Sequence, residues 1–261
     1  MARPGGGDDG GSDDADDVVV RDVVRAVRGT SSAATTTSDD GLEMMSRFDA
    51  LSALSAALDR DDAGDVNWVL KRIEDALVEC VRAPDGAASA AVAARVLTRA
   101  YAKTRASSVY SRANELMETA GAAQAPALAR ASAFDALTRL MTAFGDRLHG
   151  CVHGFVSAAY ASAKPSDDVG VKRAALKLLA TTCARSSGAL DERMIGVAFK
   201  VLVKLEGERD VGARAVRAEA LGALARAWSS AMAHSKATDA KTKGAGTFDI
   251  ASVVQRIVKA L

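Results

Sequence analysis

The chain has 261 residues, with 34 Lys and Arg against 33 Asp and Glu, for a net charge of +1. That balance excludes bulk attraction to nucleic acid or to a membrane surface. Roughly one residue in five is Ala, while aromatics make up 4% and only four Pro occur. Ala is the best helix former, and β-branched and aromatic residues are too sparse for a large sheet, so composition points to an all-helical protein. Cys80, Cys151 and Cys183 are odd in number and widely spaced, as expected of buried thiols in a reducing compartment. No apolar run reaches the length of a membrane span, and the N-terminus lacks the apolar core of a signal peptide, so the expected address is the cytosol.

The first forty residues differ from the rest. They hold nine Asp and four Arg, a charge of −5, which leaves +6 for residues 41–261. Gly/Asp and Ser/Thr runs there cannot bury enough apolar area to offset chain entropy, so residues 1–40 are expected to be a disordered acidic tail. Within it, residues 18–27 (VVVRDVVRAV) place Val20, Val23, Val24 and Val27 on one helical face. This segment reads either as a short docking helix or as a transient helix.

From residue 41 to 235 the apolar period is helical. Phe48, Leu51, Leu54, Ala57 and Leu58 form the first stripe. Trp68, Val69, Ile73, Leu77 and Val81 form the second, stopped by Pro84-Asp85-Gly86. Val92, Val96, Leu97, Ala100 and Tyr101 follow. Val109, Leu116 and Met117 then lead to Gly121. Leu128, Phe134, Leu137, Leu140 and Met141 lead to Gly145, and Leu148, Val152, Phe155, Val156 and Tyr160 to Lys164-Pro165. Val171, Leu176, Leu178, Leu179 and Cys183 lead to Gly188; Met194, Ile195, Phe199, Leu202 and Leu205 to Gly207. Val216, Leu221, Leu224 and Trp228 mark the next helix. Residues 236–246 read as a polar linker, and 247–261 as the start of a further, truncated helix.

The helices come in pairs, and the pairs repeat. VAARVLTRA (92–100), SAFDALTRL (132–140), VKRAALKLL (171–179) and VRAEALGAL (216–224) correspond. Leu97 to Leu137 is 40 residues, Ala136 to Ala175 is 39, and Ala175 to Ala220 is 45. Two helices per unit of about 40 residues is the signature of HEAT or armadillo repeats. Asp168 and Asp210 precede their second helices, where a carboxylate satisfies orphan amides and meets the positive dipole end. The expected fold is therefore an α-solenoid of HEAT/armadillo-type helix pairs, with a single helical bundle as the alternative.

Signals for chemistry are weak. His149 and His153 would stand at i and i+4 on a helix, a metal-compatible spacing, with Cys151 between them, but no fourth ligand neighbours them. The bland reading is a core cysteine flanked by two histidines near a helix start. The Asp pairs at 8–9, 13–14 and 16–17 lack the central Gly and closing Glu of a calcium loop. Lys-Gly-Ala-Gly-Thr at 243–247 lacks the order of a phosphate loop. Only three His occur, the third being His234, and no Ser–His–Asp set can be assembled. No enzyme, cofactor or metal is expected. Arg95, Arg99 and Lys103 share a helical face, with Arg105 nearby, and form a candidate basic surface for an acidic partner or phosphate, against the bland reading of a solvated outer face.

FDALSALSAAL (48–58), WVLKRIEDALVECV (68–81), ARVLTRAYA (94–102), SVYSRANELMETA (108–120) and the long run at 144–182 follow one another in the order seen near the N-terminus of one family. Over residues 44–230, roughly 70% of the chain, the sequence resembles the HEAT-repeat-containing protein 5 family, which includes the plant protein Sweetie. The resemblance implies a large cytosolic scaffold that associates with clathrin adaptor complexes and accessory subunits on Golgi and endosomal vesicles. It implies roles in endocytosis, endosome-to-Golgi retrograde transport and protein localisation, with membrane association only through partners. It brings no catalytic residue. Family members are far longer, so the chain is expected to be a fragment of such a scaffold. The alternative is a generic HEAT or armadillo adaptor, for example in nuclear transport or chromatin; the Asn-rich or acidic ladder that such modules carry is not seen in the second helices. No heptad seam suggests self-association.

Overall fold

A computed structural model describes residues 46–59, 66–164 and 167–238. The acidic tail, the 243–247 run and the truncated last helix fall outside the described residues. Within the described residues there are nine α-helices and no strand. They are α1 (Arg47–Asp59), α2 (Val66–Arg82), α3 (Ala87–Thr104), α4 (Val109–Gly121), α5 (Ala127–Phe144), α6 (Val152–Ser162), α7 (Val169–Arg185), α8 (Glu192–Lys204) and α9 (Val211–Thr238). A 3-10 segment, Gly145–Cys151, leads into α6, and a shorter one, Ser187–Ala189, follows α7.

Packing sorts these helices into two layers. The odd-numbered helices pack one on the next in order, α1 to α3 to α5 to α7 to α9. The even-numbered helices form the second layer, α2 to α4 to α6 to α8. Short loops join α2 to α3, α4 to α5, α6 to α7 and α8 to α9 as hairpins, and these partners also pack. The starts of α3, α5, α7 and α9 are spaced 40, 42 and 42 residues; those of α2, α4, α6 and α8, 43, 43 and 40. The chain is thus an all-helical stack of repeating helix pairs.

Local sequence explains the boundaries. Pro126 precedes α5, where its missing N–H costs nothing. Asp168 accepts from the Gly170 and Val171 amides, Asp191 from Met194 and Asp210 from Ala213. The C-terminal end of α3 is unusual: Arg105 adopts the left-handed conformation (φ 53°) and donates its N–H to the Tyr101 carbonyl. Glycine normally takes this position. The next repeat holds the strained turn, because Arg147 Nη2 donates to the Arg105 carbonyl at 3.1 Å and the Ala106 carbonyl at 3.3 Å.

One continuous core runs through the stack, with Tyr101, Phe134, Phe155, Leu97, Leu137, Leu140 and Met141 fully buried. The four matched sequence runs all lie on odd helices, and their Leu97, Leu137, Leu176 and Leu221 are buried. Helix starts and charge pairs, however, align Leu97 and Leu137 with Leu179 rather than with Leu176. The repeat steps are then 40, 42 and 42, not 40, 39 and 45. Residues three apart share a helical face, so apolar periodicity alone cannot distinguish the two registers.

Three other expectations change. Phe48 and Leu128 were assigned to core stripes, but they are 43% and 40% exposed. Both stand in the first turn of their helix, beyond the reach of the neighbouring layer. Residues 236–238 belong to α9, not to a linker, because Lys and Ala are good helix formers and Thr is tolerated at a helix end.

Charged groups stitch successive repeats at the starts of the odd helices. Arg47 of α1 faces Asp85 before α3 (3.6 Å), Arg130 of α5 meets Asp167 before α7 (3.1 Å), and Lys172 of α7 meets Glu208 before α9. Ala90 and Ala125 occupy the intervening rung, which carries no charge. Arg47, Arg130 and Lys172 are buried at their bases. Arg173 adds a two-pronged bond to Asp210, 2.9 Å on each arm. In the even layer, Arg82 donates to Thr119 (3.0 Å), and Arg112 of α4 pairs with Glu74 and Asp75 of α2.

Candidate partner-binding surfaces

Arg95, Arg99 and Lys103 lie on α3 as expected, but the structure employs them differently. Arg99 Nη1 donates to Ser55 Oγ (3.1 Å) and to Asp59 (2.7 Å), both on α1. Arg99 therefore ties two repeats together. Arg105 forms the left-handed cap rather than a fourth surface cation. Arg95 and Lys103 are exposed.

Arg95 also begins a row. Counting equally from each helix start places Arg95, Asp135, Lys177 and Glu219 at one register of α3, α5, α7 and α9, and all four are exposed. The row alternates in sign. Partial desolvation raises the Asp135 carboxyl above its usual range, opposed by Lys177 and Arg139. This face is charge-compensated along the stack rather than uniformly basic.

The histidine cluster is not on one helix. His149 sits in the 3-10 segment, with a kink at Leu148 (φ −96°, ψ 16°), whereas His153 is in α6. The i,i+4 spacing assumed from sequence is therefore not helical here. Cys151 between them is buried, and burial raises its thiol. Burial also pushes the Cys80 and Cys183 thiols up, to about 11 and about 12. Such thiols are poor nucleophiles at neutral pH. Among the described residues no group of three or more His, Cys, Asp or Glu converges on a metal-sized space. Nor is any described helix long and apolar enough to cross a membrane.

Two surfaces were not anticipated. The first is a cleft of about 1090 Å³ over α6 and α8, lined by Tyr160, Arg193, Val197, Lys200, Val203 and Lys204 among others. Lys204 Nζ lies 3.4 Å from the Tyr160 ring centroid, a cation–π contact. Its apolar floor is edged by three cations, with Asp191 and Glu192 at the α8 start also in the lining, so the basic part is the Lys200–Lys204 end. The spacing of Arg193, Lys200 and Lys204 along α8 is the sequence signal that could have found it.

The second is an apolar row along one edge. Phe48, Leu128, Val169 and Val211 are 43%, 40%, 37% and 77% exposed. Each stands at the first or second residue of an odd helix. The row escapes a sequence reading because Phe48 and Leu128 continue apolar stripes whose other members are mostly buried, and Val169 and Val211 stand before the stripes of their helices.

Comparisons with family models, curated proteins and solved structures return no match for this chain.

Proposed function

We propose that the chain is a HEAT-type α-solenoid segment serving as a non-enzymatic scaffold in vesicle traffic. One observation supports this reading above others: helix pairs recur every 40 to 43 residues in both layers, in one register. Such stacks offer long surfaces to peptides and helices, and their architecture suits partner binding rather than turnover. The vesicle-traffic assignment rests on the ordered resemblance of residues 44–230 to the HEAT-repeat-containing protein 5 family. On this reading the partners are clathrin adaptor subunits or their accessory proteins. The chain then works in the cytosol on Golgi and endosomal vesicles, reaching membranes through those partners. Two faces are offered for docking, the α3 surface with Arg95 and Lys103, Arg99 being held by Asp59, and the cleft with Arg193, Lys200 and Lys204.

Affinity capture with the full chain tests the assignment. Recovery of clathrin adaptor subunits, lost on Lys200→Glu with Lys204→Glu or on Arg95→Glu with Lys103→Glu, would support it and identify the face. Recovery of nuclear transport or chromatin proteins alone would replace it with the generic adaptor.

A further inference from the structure

The cleft over α6 and α8 has a direction. Asp191 and Glu192 stand where α8 begins, and Lys200 and Lys204 stand in its second half. Arg193 sits beside the two carboxylates and offsets one of them. The start of α8 therefore carries a net −1, from Asp191, Glu192 and Arg193, and the far end +2, from Lys200 and Lys204. Between the ends the lining is apolar, with Val197, Val203 and the Tyr160 ring of α6 half-buried. The lysines are not neutralised by their surroundings. Lys204 leans on the Tyr160 ring, which positions the ammonium and leaves its charge. The acids that follow are turned elsewhere: Glu206 interacts with Arg217 of α9, and Glu208 is held by Lys172.

Size and polarity narrow the occupant. The 13 residues of α8 span about 20 Å, and the cleft, about 1090 Å³, is open along that length. Such a trough suits a chain segment rather than an enclosed small ligand. A flat anionic bilayer would meet the lysines at one end and the carboxylates at the other, so a membrane fits poorly. Consecutive even helices run in the same direction, each returning through one odd helix. The C-termini of α6 and α8, the negative dipole ends, therefore both lie at the lysine end. A helix laid antiparallel in the trough sets its positive N-terminus against them. Helices favour acidic side chains in the first turn and basic ones in the last. In this orientation the acidic turn falls on Lys200 and Lys204, and the basic turn on Asp191 and Glu192. The dipoles and the side-chain charges thus select the same direction.

We propose that the cleft binds a short amphipathic helix of a partner protein, antiparallel to α8. Its acidic first turn meets Lys200 and Lys204, and its apolar stripe covers Val197, Val203 and the Tyr160 ring. This rests on the reading of the chain as a scaffold, and it gives one of the two docking faces a defined occupant and polarity. A segment of three to four turns is marginally helical alone in water, so it folds as it docks.

Fluorescence anisotropy on the full 261-residue chain tests this with two synthetic peptides of about 14 residues and one composition. Both carry Leu at i, i+3, i+4 and i+7. The first has Glu in its first turn and Lys in its last, and the second has them exchanged. The first is expected to bind about tenfold more tightly. In Lys200→Glu with Lys204→Glu, both exposed positions, the ratio of the two affinities is expected to fall about tenfold. Helicity of the free peptides affects both chains alike, so the change in ratio isolates the cleft. Val197→Ser is expected to weaken both peptides. A ratio unchanged by the double variant overturns the proposal, as does no binding of the first peptide at millimolar concentration. Co-sedimentation of the parent chain with anionic phospholipid vesicles, lost in the same double variant, assigns the lysines to a membrane and also overturns it. Peptide recognition without capture of adaptor subunits would reject the vesicle-traffic assignment and keep the cleft. Capture with an unchanged peptide ratio would do the reverse.

Discussion

The helices α5 and α7 of the odd layer bury more of their length than α4 and α8 of the even layer. In the odd layer, α5 buries eleven of its 18 residues and α7 ten of 17. In the even layer, α4 buries five of 13 and α8 four of 13, whereas α6, flanked on both sides, buries six of 11. An odd helix is wedged between the odd helices before and after it and lies on the even layer as well. An even helix packs on its hairpin partner and on the even helices beside it, and α4 and α8 keep a broader face open. The odd helices consequently need small residues on several sides, which is where Ala133, Ala136, Ala174, Ala175 and Ala180 sit. The even helices follow the simpler amphipathic rule of one buried stripe. Stability is concentrated in the first layer, and free surface, including the α6–α8 cleft, in the second.

Core substitutions test this contrast with the largest effects. Phe134→Ala in α5 removes a fully buried ring wedged among several helices. It is expected to cost about 3–5 kcal/mol, enough to threaten folding. Val197→Ala in α8, on the cleft wall, should cost less than about 1 kcal/mol, because the site is open to water. Denaturant unfolding measures both. Equal losses would mean that the layers share the load evenly.

The inter-repeat stitches come next. Arg130 and Asp167 are 7% and 14% exposed, and Arg130 also donates to the Ala120 carbonyl. Arg130→Met strands a mostly buried carboxylate and is expected to cost about 2 kcal/mol. At the next rung, Lys172 and nearby amides hold Glu208 below its usual range, and Arg173 with the Ala213 amide does the same for Asp210. A depressed carboxyl contributes stability that is present above its unfolded value and lost as pH falls through its folded value. Asp135 has the opposite sign: its raised carboxyl favours folding below the ordinary value, and this is lost as pH rises through the raised one. Thermal melts should therefore fall on acidification below the ordinary carboxylate range, and Lys172→Met should flatten that fall. Asp135→Asn should raise the melting temperature slightly at neutral pH. A melt independent of pH between 3 and 6 would refute the ladder.

How much of this was legible in the sequence follows from which neighbours each residue meets. Core stripes such as Val92, Val96, Leu97, Ala100 and Tyr101 were legible because helical period and burial coincide there. The two-helix unit was legible because Leu-Thr-Arg recurs at 97–99 and 137–139. The third unit slipped by one turn, since Leu176 and Leu179 share a face and only the charge pairs distinguish them. Phe48 and Leu128 were misassigned because a stripe does not record where the neighbouring helix stops. The α3 basic face was half legible: its cations are real, but nothing local indicates that Arg99 would turn to Asp59, forty residues back. The cleft and the edge row depend on stacking register, which emerges only when repeats are laid side by side.

The smallest expected effect isolates one strained residue. Arg105 holds a positive φ at the end of α3, where a Cβ crowds the neighbouring carbonyl at a cost of about 1 kcal/mol. Its side chain is exposed, and the bonds that hold the turn use backbone atoms: its own N–H to Tyr101 and its carbonyl to Arg147. Arg105→Gly retains both bonds and removes the crowding. It also lets the unfolded chain roam more widely, which subtracts part of the gain. The net expectation is stabilisation by about 0.5 kcal/mol. Arg147→Ala, which frees the Arg105 and Ala106 carbonyls, should destabilise by about 1 kcal/mol. If the turn is held by the next repeat, the two changes are coupled, and Arg105→Gly should gain more in the Arg147→Ala background, where nothing else secures the strained residue. A double-mutant cycle by urea unfolding reads that difference. Strict additivity would mean that the left-handed turn is stable on its own and that Arg147 merely decorates it.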